Sequence, residues 1–518
     1  MKRSHDTAIK GVGGGGGGGV ELTPPQQEAF KAVTNLRNPE HVLLTGEAGA
    51  GKSVVAHAAI KRILQNAGDA SLIVAGSTGI AALEIGGATL DRHMGWKIHG
   101  GTADFEWLQT FAEEMAEATR WPKKGTQHDP KKSNLYWVKE AMQKARAMLI
   151  DEVSMLTARK VDNLDVVLRR VRNQPRKPFG GLKLIFVGDF FQLPPVLGKQ
   201  EVDTYDPEYY FAFQSKVWKE AKVRMLYLPG SLRQKDDILY AALLSRARIG
   251  ALTEADIALL KTRVLPPPSA DSGRVVTYLF PHNREADAKN RACLDALGTP
   301  LRTFEAVDSF SKPALKDANL FKDVRAIQMI ELKEGAVVML LRNMTRMDFL
   351  SVNVTLPEDA GVDLTTDRGK QKETILANGS TGRVVRFGRI AGEDVACPIV
   401  RFVRKHGKGA VEVPIKVHQF DIPGANPREG PIAARIQLPL LLCYAISAHK
   451  SQGQTIDAPV VPDLVHCFQA GMAYVMLSRV KTIEDLYLPN FDPGVFKADP
   501  RVLAFHQECM GQALKTSF

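Results

Sequence analysis

A chain of 518 residues has room for two to four domains, each with its own core, and 44% hydrophobic with 24% charged residues is the balance of an ordinary globular protein rather than a disordered or fibrous one. A net charge of +11 points to a polyanionic partner, and the five cysteines (Cys293, Cys397, Cys443, Cys467, Cys509) contain no C-x-x-C pair, which argues against a zinc module or disulfide framework and fits a reducing compartment. No apolar run is long enough to span a bilayer and no secretory signal is present, so the expectation is an intracellular, soluble protein without a membrane partner.

Residues 1–20 carry MKRSHDTAIK and a glycine run, Gly13 to Gly19, which cannot bury enough apolar surface to offset its ordering entropy. A flexible tail is expected there: a DNA contact, an address or a dispensable leader. Order begins at Leu22, where Thr23 can cap a helix starting at Pro24. Gln26 in its first turn reads either as a surface glutamine or as an amide able to match the adenine edge with one donor and one acceptor.

Val42-Leu43-Leu44 is the short apolar run of a buried parallel strand, followed at once by Gly46-Glu47-Ala48-Gly49-Ala50-Gly51-Lys52-Ser53. Val54, Val55, Ala58, Ala59 and Ile63 then mark the inner face of a helix. Glycines let the backbone N–H groups wrap a polyphosphate, and the positive end of the helix dipole faces the same oxygens. Lys52 is placed to reach the β/γ-phosphates and Ser53 to hold Mg²⁺. A bare glycine-rich turn would not need a strand before it and a helix after it. The stretch reads as a nucleoside-triphosphate site.

Ser71 to Ala75 is the next strand, and the turn after it offers the Ser77 and Thr78 hydroxyls to a nucleic-acid phosphate. Residues 95–146 break the strand–helix rhythm with Trp107, Trp121, Tyr136 and Trp137 among Lys123, Lys124, Lys131, Lys132 and Lys139. This insertion either stacks bases or forms a small helical lobe with its own core. Ala147 to Ile150 is an apolar strand ending in Asp151 and Glu152, with Asp151 suited to the Mg²⁺ shell and Glu152 to orienting or deprotonating water. Leu184 to Val187 leads into Phe190-Phe191-Gln192-Leu193-Pro194-Pro195, with Gln192 expected at the γ-phosphate and Phe190, Phe191 and Pro194 as a rigid surface for bases. Leu440 to Ala445 reads as one strand, followed by a loop with donors from His449, Lys450, Ser451, Gln452 and Thr455.

In this order, GEAGAGKS, STGIAAL, LIDEVSML, FVGDFFQLPPV, LRQ (Leu232–Gln234), YAISAHKSQGQT and YVMLSRV resemble the successive motifs of superfamily 1 DNA helicases, in particular the PIF-type, RecD-like branch that moves 5′→3′. The resemblance runs from about Leu22 to Leu488. It implies an α/β fold of two RecA-like P-loop lobes that grip ATP between them and single-stranded or forked DNA across their tops. On that analogy Gln26 contacts adenine, residues 46–53 and Gln454 bind the nucleotide, Ser53 and Asp151 hold Mg²⁺, and Glu152 activates water. Gln192 senses the γ-phosphate, Arg233 and Arg479 are arginine fingers, and Ser77, Thr78, Phe190, Phe191, Pro194, His449 and Ser451 face DNA. One departure stands out: the family reads T-[IL]-H-S-F where this chain has Thr89-Leu90-Asp91-Arg92-His93, so Arg92 or His93 is expected to supply the phosphate contact.

The resulting domain scheme is a tail at 1–20, a first lobe at 21–220, a second lobe at 221–332 and 436–492, an accessory Src-homology-3-like β-barrel at 333–435 and a tail at 493–518. A polar loop is expected at 358–373. The expected activity is ATP-driven unwinding by a monomer, alongside replication or repair proteins; the open alternatives are an RNA motor, a protein-stripping translocase and an ATP-gated clamp.

Overall fold

The computed structural model describes residues 21–38, 40–96, 105–118, 130–197, 205–268, 275–311, 318–321, 324, 326–350, 374–376, 378–389, 396–403, 410–423, 430–456 and 458–515. The tail at 1–20 and the polar loop at 358–373 lie outside them. The first lobe is built on six strands: β1 (Val42–Gly46), β2 (Leu72–Gly76), β3 (Ala88–Thr89), β4 (Ala147–Asp151), β5 (Lys183–Val187) and β6 (Arg224–Leu228), in the order β3-β2-β4-β5-β1-β6. All pairs are parallel. Every residue of β1, β4 and β5 is buried, which is why these strands read as continuous apolar runs rather than alternating ones. The edge strand β6 starts at Arg224, so the first sheet extends past the boundary expected at 220.

Helices Pro24–Thr34 and Lys52–Ala67 cover one face through Phe30, Val33, Val55, Ala59 and Ile63. Val54, expected on the inner face, is 37% exposed; the stripe runs instead through Val55, Ala56, Ala59 and Ile63. The insertion supplies helices Phe105–Glu117 and Pro130–Lys144, whose Leu108, Phe111, Met115, Val138 and Met142 join the core on the other face with helix Ala158–Val171. Its described part is thus a helical layer fused to the lobe's core. Tyr136 and Trp137 meet edge to face at 5.3 Å and are half-buried. Trp121, Lys123, Lys124 and the side chains of Trp107, Lys131 and Lys132 lie outside the described residues.

The second lobe has a three-stranded parallel sheet, β20-β7-β21, made of β7 (Thr277–Phe280), β20 (Ala445–Ser447) and β21 (Val460–Pro462). Helices Ile238–Arg248, Glu254–Lys261 and Met472–Leu477 pack into its core. Between its halves lie antiparallel strands. These are β8 (Arg302–Glu305), β9 (Val307–Phe310), β10 (Met329–Leu332), β11 (Val337–Leu340), β12 (Met344–Thr345), β13 (Thr374–Leu376), β14 (Thr381–Gly388), β15 (Cys397–Val403), β16 (Ala410–Pro414), β17 (His418–Pro423), β18 (Pro431–Gln437) and β19 (Leu440–Leu442). The largest sheet runs β16-β15-β14-β11-β19, and smaller ones are β17-β18-β9, β10-β8 and β12-β13. Strands on both sides of 333–435 therefore join this antiparallel region. The run expected to be one strand at 440–445 splits, because β19 belongs to the antiparallel sheet and β20 to the parallel one. Beyond residue 492 the chain is packed as well: helix Pro500–Lys515 returns to the first lobe and sets Phe505 against Phe213, ring centroids 4.3 Å apart.

Candidate nucleotide site and nucleic-acid interface

The loop from Gly46 to Gly51 joins β1 to its helix, with Gly49 at φ 83 and Gly51 at φ 86, backbone that an L side chain resists. Space forbids one as well: a Cβ on Gly51 would lie 2.4 Å from Gln26 Nε2. Lys52 Nζ donates to the Gly46 and Glu47 carbonyls, each at 2.9 Å. Loss of solvent pulls the Lys52 pKa down, while Asp189 and Glu152 pull it back up. Gln26 is 3% exposed, so the surface-glutamine alternative fails; its Nε2 donates to the Ala50 carbonyl at 3.0 Å and its Oε1 accepts from Thr23 N at 3.0 Å. Ser53 is exposed at the helix start.

Asp151 closes β4 and Glu152 follows in the left-handed region, φ 54 and ψ 50. A glutamate there is strained, and the surroundings hold it. Its N–H donates to Asp151 Oδ1 at 2.9 Å, its carbonyl accepts from Ser77 Oγ at 2.7 Å, and its Oε2 accepts from Gln452 Nε2 at 2.9 Å. Burial raises both carboxyl pKa values; at Asp151 the charge of Glu152 adds to it, whereas at Glu152 Lys52 and the Gln452 hydrogen bond oppose it. Buried Asp151 and half-buried Glu152 beside a serine hydroxyl form a hard-oxygen set that suits Mg²⁺, and such a cation would favour the ionised carboxylates against the burial that raises them. Among the described residues no group of three or more His, Cys, Asp or Glu could hold a metal ion by itself.

The second lobe grips the phosphate loop directly. Tyr474 hydroxyl accepts from Ala48 N at 2.8 Å, Ser231 Oγ donates to the Ala48 carbonyl at 2.8 Å, and Ser245 Oγ donates to Glu47 Oε2 at 2.7 Å. Arg233 donates to the Ser478 carbonyl at 2.6 Å, and burial, followed by the charge of Arg479, brings its pKa down to about 9. Arg479 is 1% exposed. Its Nε donates to Val475 O at 2.7 Å and its Nη1 to Ser451 O and Gln454 O, both at 3.1 Å. Gln192 is buried on the loop after β5, where Gly471 packs so closely that a Cβ would lie 2.7 Å from the Gln192 carbonyl oxygen.

The residues expected to face DNA divide. Phe190 and Phe191 are 5% and 4% exposed and belong to an aromatic core, not a stacking surface. Phe190 meets Phe213 at 4.9 Å, Phe191 meets His506 at 5.3 Å, and the Arg248 guanidinium lies 4.2 Å from the Phe191 centroid. His93 turns inward to the Val74 carbonyl at 2.7 Å, Ser77 is committed to Glu152, and fully buried Ser451 donates to the Ala448 carbonyl at 2.8 Å. Each of these groups gains more from a buried partner than from solvent. Thr78 and Arg92 are half-buried; Thr78 Oγ1 accepts from Ala81 N at 3.2 Å. Asp91 pairs with Lys160 at 2.9 Å, which accounts for an acid where the family has histidine. Pro194 remains half-exposed beside exposed Val196, at a cavity of about 490 Å³, and His449 is half-buried.

Four contributors escaped the sequence reading: the Gln452 amide on Glu152, the Tyr474 hydroxyl on the phosphate loop, the Glu47–Ser245 bond and the Asp189–Arg248 pair. Asp189 follows an apolar strand as Asp151 does, the one signal available; its partner lies 59 residues away, with bonds of 2.7 and 2.9 Å.

The model of the PIF1-like helicase family matches residues 21–125 and 131–243. The chain is 30% identical over 524 residues to the ATP-dependent DNA helicase RRM3 of Saccharomyces cerevisiae, covering 94% of this chain and 68% of that protein. It is 32% identical over 486 residues to the human ATP-dependent DNA helicase PIF1, covering 94% and 63%. This chain thus spans about two-thirds of the length of these relatives. The crystal structure of the Pif1 helicase from Candida albicans superposes with a TM-score of 0.67 at 25% identity, over 94% of this chain and 99% of that one. With the phosphate loop, the paired acids and the gripping second lobe in place, and with relatives matched over nearly its whole length, the chain belongs to the PIF1-like helicase family.

Proposed function

We propose that this protein is an ATP-dependent DNA helicase that moves 5′→3′ on single-stranded DNA and opens duplexes and forks. The observation that carries this reading is the Gln452–Glu152 bond of 2.9 Å. Gln452 ends the segment that begins with helix Ala448–Ser451, which also carries His449 and exposed Lys450. A shift of that segment on a nucleic-acid backbone would move the carboxylate that activates water. Coupling of this kind is what converts turnover into stepping.

In this reading the two sheets are RecA-like lobes and the antiparallel region is a Src-homology-3-like barrel. Residues 46–53 cradle the phosphates and Gln26 and Gln454 border the base. Ser53 and Asp151 hold Mg²⁺, which neutralises charge on the phosphates when bound. Glu152, kept in one orientation by Ser77 and Gln452, takes the proton from the attacking water. Gln192 reads the γ-phosphate. Arg233 and Arg479, bonded to backbone carbonyls here, turn to the phosphates as the lobes close and stabilise charge there. The protein acts as a monomer on DNA inside the cell, with replication or repair proteins as partners. Among the described residues, no helix is long and apolar enough to cross a membrane.

Strand separation on two matched duplexes, one with a 5′ and one with a 3′ single-stranded tail, tests the reading. ATP-dependent opening of the 5′-tailed duplex alone is expected. Opening of the 3′-tailed duplex alone would overturn the direction, and DNA-stimulated ATP turnover with neither opened would leave a translocase.

A further inference from the structure

Glu47 is the one acid among residues 46–53, so the loop read as a phosphate cradle carries a negative charge of its own. A free carboxylate there would repel a polyphosphate at close range. Both ends of the residue are committed. Its carbonyl accepts from Lys52 Nζ at 2.9 Å, and its carboxylate turns to the second lobe, where Oε2 accepts from Ser245 Oγ at 2.7 Å. A weaker contact comes from the Tyr227 hydroxyl, 3.5 Å from Oε1.

Ser245 lies inside helix Ile238–Arg248, where a serine can turn its hydroxyl back on its own helix. That partner is within reach, since the Ala241 carbonyl is 3.2 Å away. A hydroxyl has one proton to donate, and the shorter, charge-assisted bond to the carboxylate takes it. The donor stands on a firm support: three residues on, Arg248 makes its two buried bonds to Asp189, at 2.7 and 2.9 Å. The Tyr474 and Ser231 contacts with Ala48 meet backbone atoms that any residue would offer, and they fix where the loop lies. Of these three grips, the Ser245 bond alone acts on a charge.

We propose that Ser245 is a positioning residue for nucleotide binding: from the second lobe, its hydroxyl holds the Glu47 carboxylate away from the polyphosphate. Donor and acceptor belong to different lobes, so a change in how the lobes meet alters the charge that the phosphates encounter. The assignment rests on the nucleotide-site reading and adds to it a residue outside the motifs that carry the family resemblance. Fluorescence titration with N-methylanthraniloyl-ADP tests it without turnover. Ser245→Ala frees the acid, and affinity falls about fivefold at low salt and less at high salt, because an exposed charge is screened. Ser245→Thr keeps a hydroxyl and keeps the affinity. In the Ser245→Ala background, Glu47→Gln removes the charge and recovers the lost affinity, whereas a defect of helix packing would persist whatever stands at residue 47. Circular-dichroism melting checks that each variant is folded. Should Ser245→Ala fail to fold, Tyr227→Phe removes the weaker donor and lowers affinity in the same sense, again recovered by Glu47→Gln. Wild-type affinity in Ser245→Ala, or a loss that Glu47→Gln leaves in place, would overturn the tether and leave the nucleotide site standing. An absence of binding by the unaltered protein would overturn both.

Discussion

At Glu152 strain and chemistry meet. The residue holds a left-handed backbone, and hydrogen bonds to its N–H, its carbonyl and its side chain define one orientation. Glu152→Gln keeps the shape and removes the proposed base, so ATP turnover should fall at least about 100-fold while single-stranded DNA binding persists. DNA-stimulated turnover at the wild-type rate would assign the base elsewhere. His41 makes a different prediction. Its Nδ1 accepts from Leu184 N at 3.1 Å and its ring packs edge-on against Phe179 at 5.1 Å, so the folded protein needs it neutral. Burial, aided by Lys183, lowers its pKa to about 4. Because the folded value lies below the unfolded value of about 6.5, the unfolded chain takes up a proton first as pH falls, and stability declines between 6.5 and 4. Urea unfolding should show a loss of about 2 kcal/mol from this group between pH 7 and pH 5, and His41→Gln should flatten that part of the profile. An equally steep loss in the variant would place the acid sensitivity at another group.

Among elements, the C-terminal helix changes most in meaning. As sequence it is a tail after the last motif. In the fold Phe505 stacks on Phe213 at 4.3 Å and meets Phe190 edge-on at 5.7 Å, while His506 meets Phe191 at 5.3 Å. The helix therefore backs the two rings that lead into Gln192. Phe505→Ala should cost about 3 kcal/mol of stability and lower kcat more than it changes KM for ATP, because the loop that carries Gln192 loses its support. Thermal melting and steady-state kinetics separate the two effects. An unchanged kcat in a destabilised variant would confine the helix to a stabilising role. The insertion is the converse case, since its described helices bury the apolar side chains that otherwise read as ambiguous.

Across the whole molecule, the lobes are joined by buried polar contacts as well as apolar packing. Arg248 makes two bonds to Asp189, with side chains 4% and 0% exposed. Burial alone would raise the Asp189 carboxyl, yet the guanidinium outweighs it and holds the pKa below the usual range. Arg248→Met leaves that charge buried without its ion-pair partner, and should cost about 3–5 kcal/mol by denaturant unfolding. Adding Asp189→Asn should recover part of the loss. Strictly additive effects would show that the two do not act as a pair.

The sequence by itself determined the local chemistry of this protein. A strand, a glycine loop and a helix follow one another in GEAGAGKS and its flanks, so the place of Lys52 and Ser53 at the helix start was legible, as was that of Asp151 at the end of β4 with Glu152 after it. Apolar runs gave the central strands, because a strand buried on both faces has no reason to alternate. Tertiary structure decided what depends on residues far apart. Phe190 and Phe191 look like a stacking surface until Phe213 and Phe505 cover them, and one apolar run at 440–445 divides between two sheets because its halves find different partners. Gln452 reaches Glu152 across 300 residues, and Tyr474 reaches Ala48 across 426. Periodicity reports how a segment is buried, not which distant segment buries it, and a single hydroxyl or amide leaves no pattern. Only the packing of the two lobes brings these groups together.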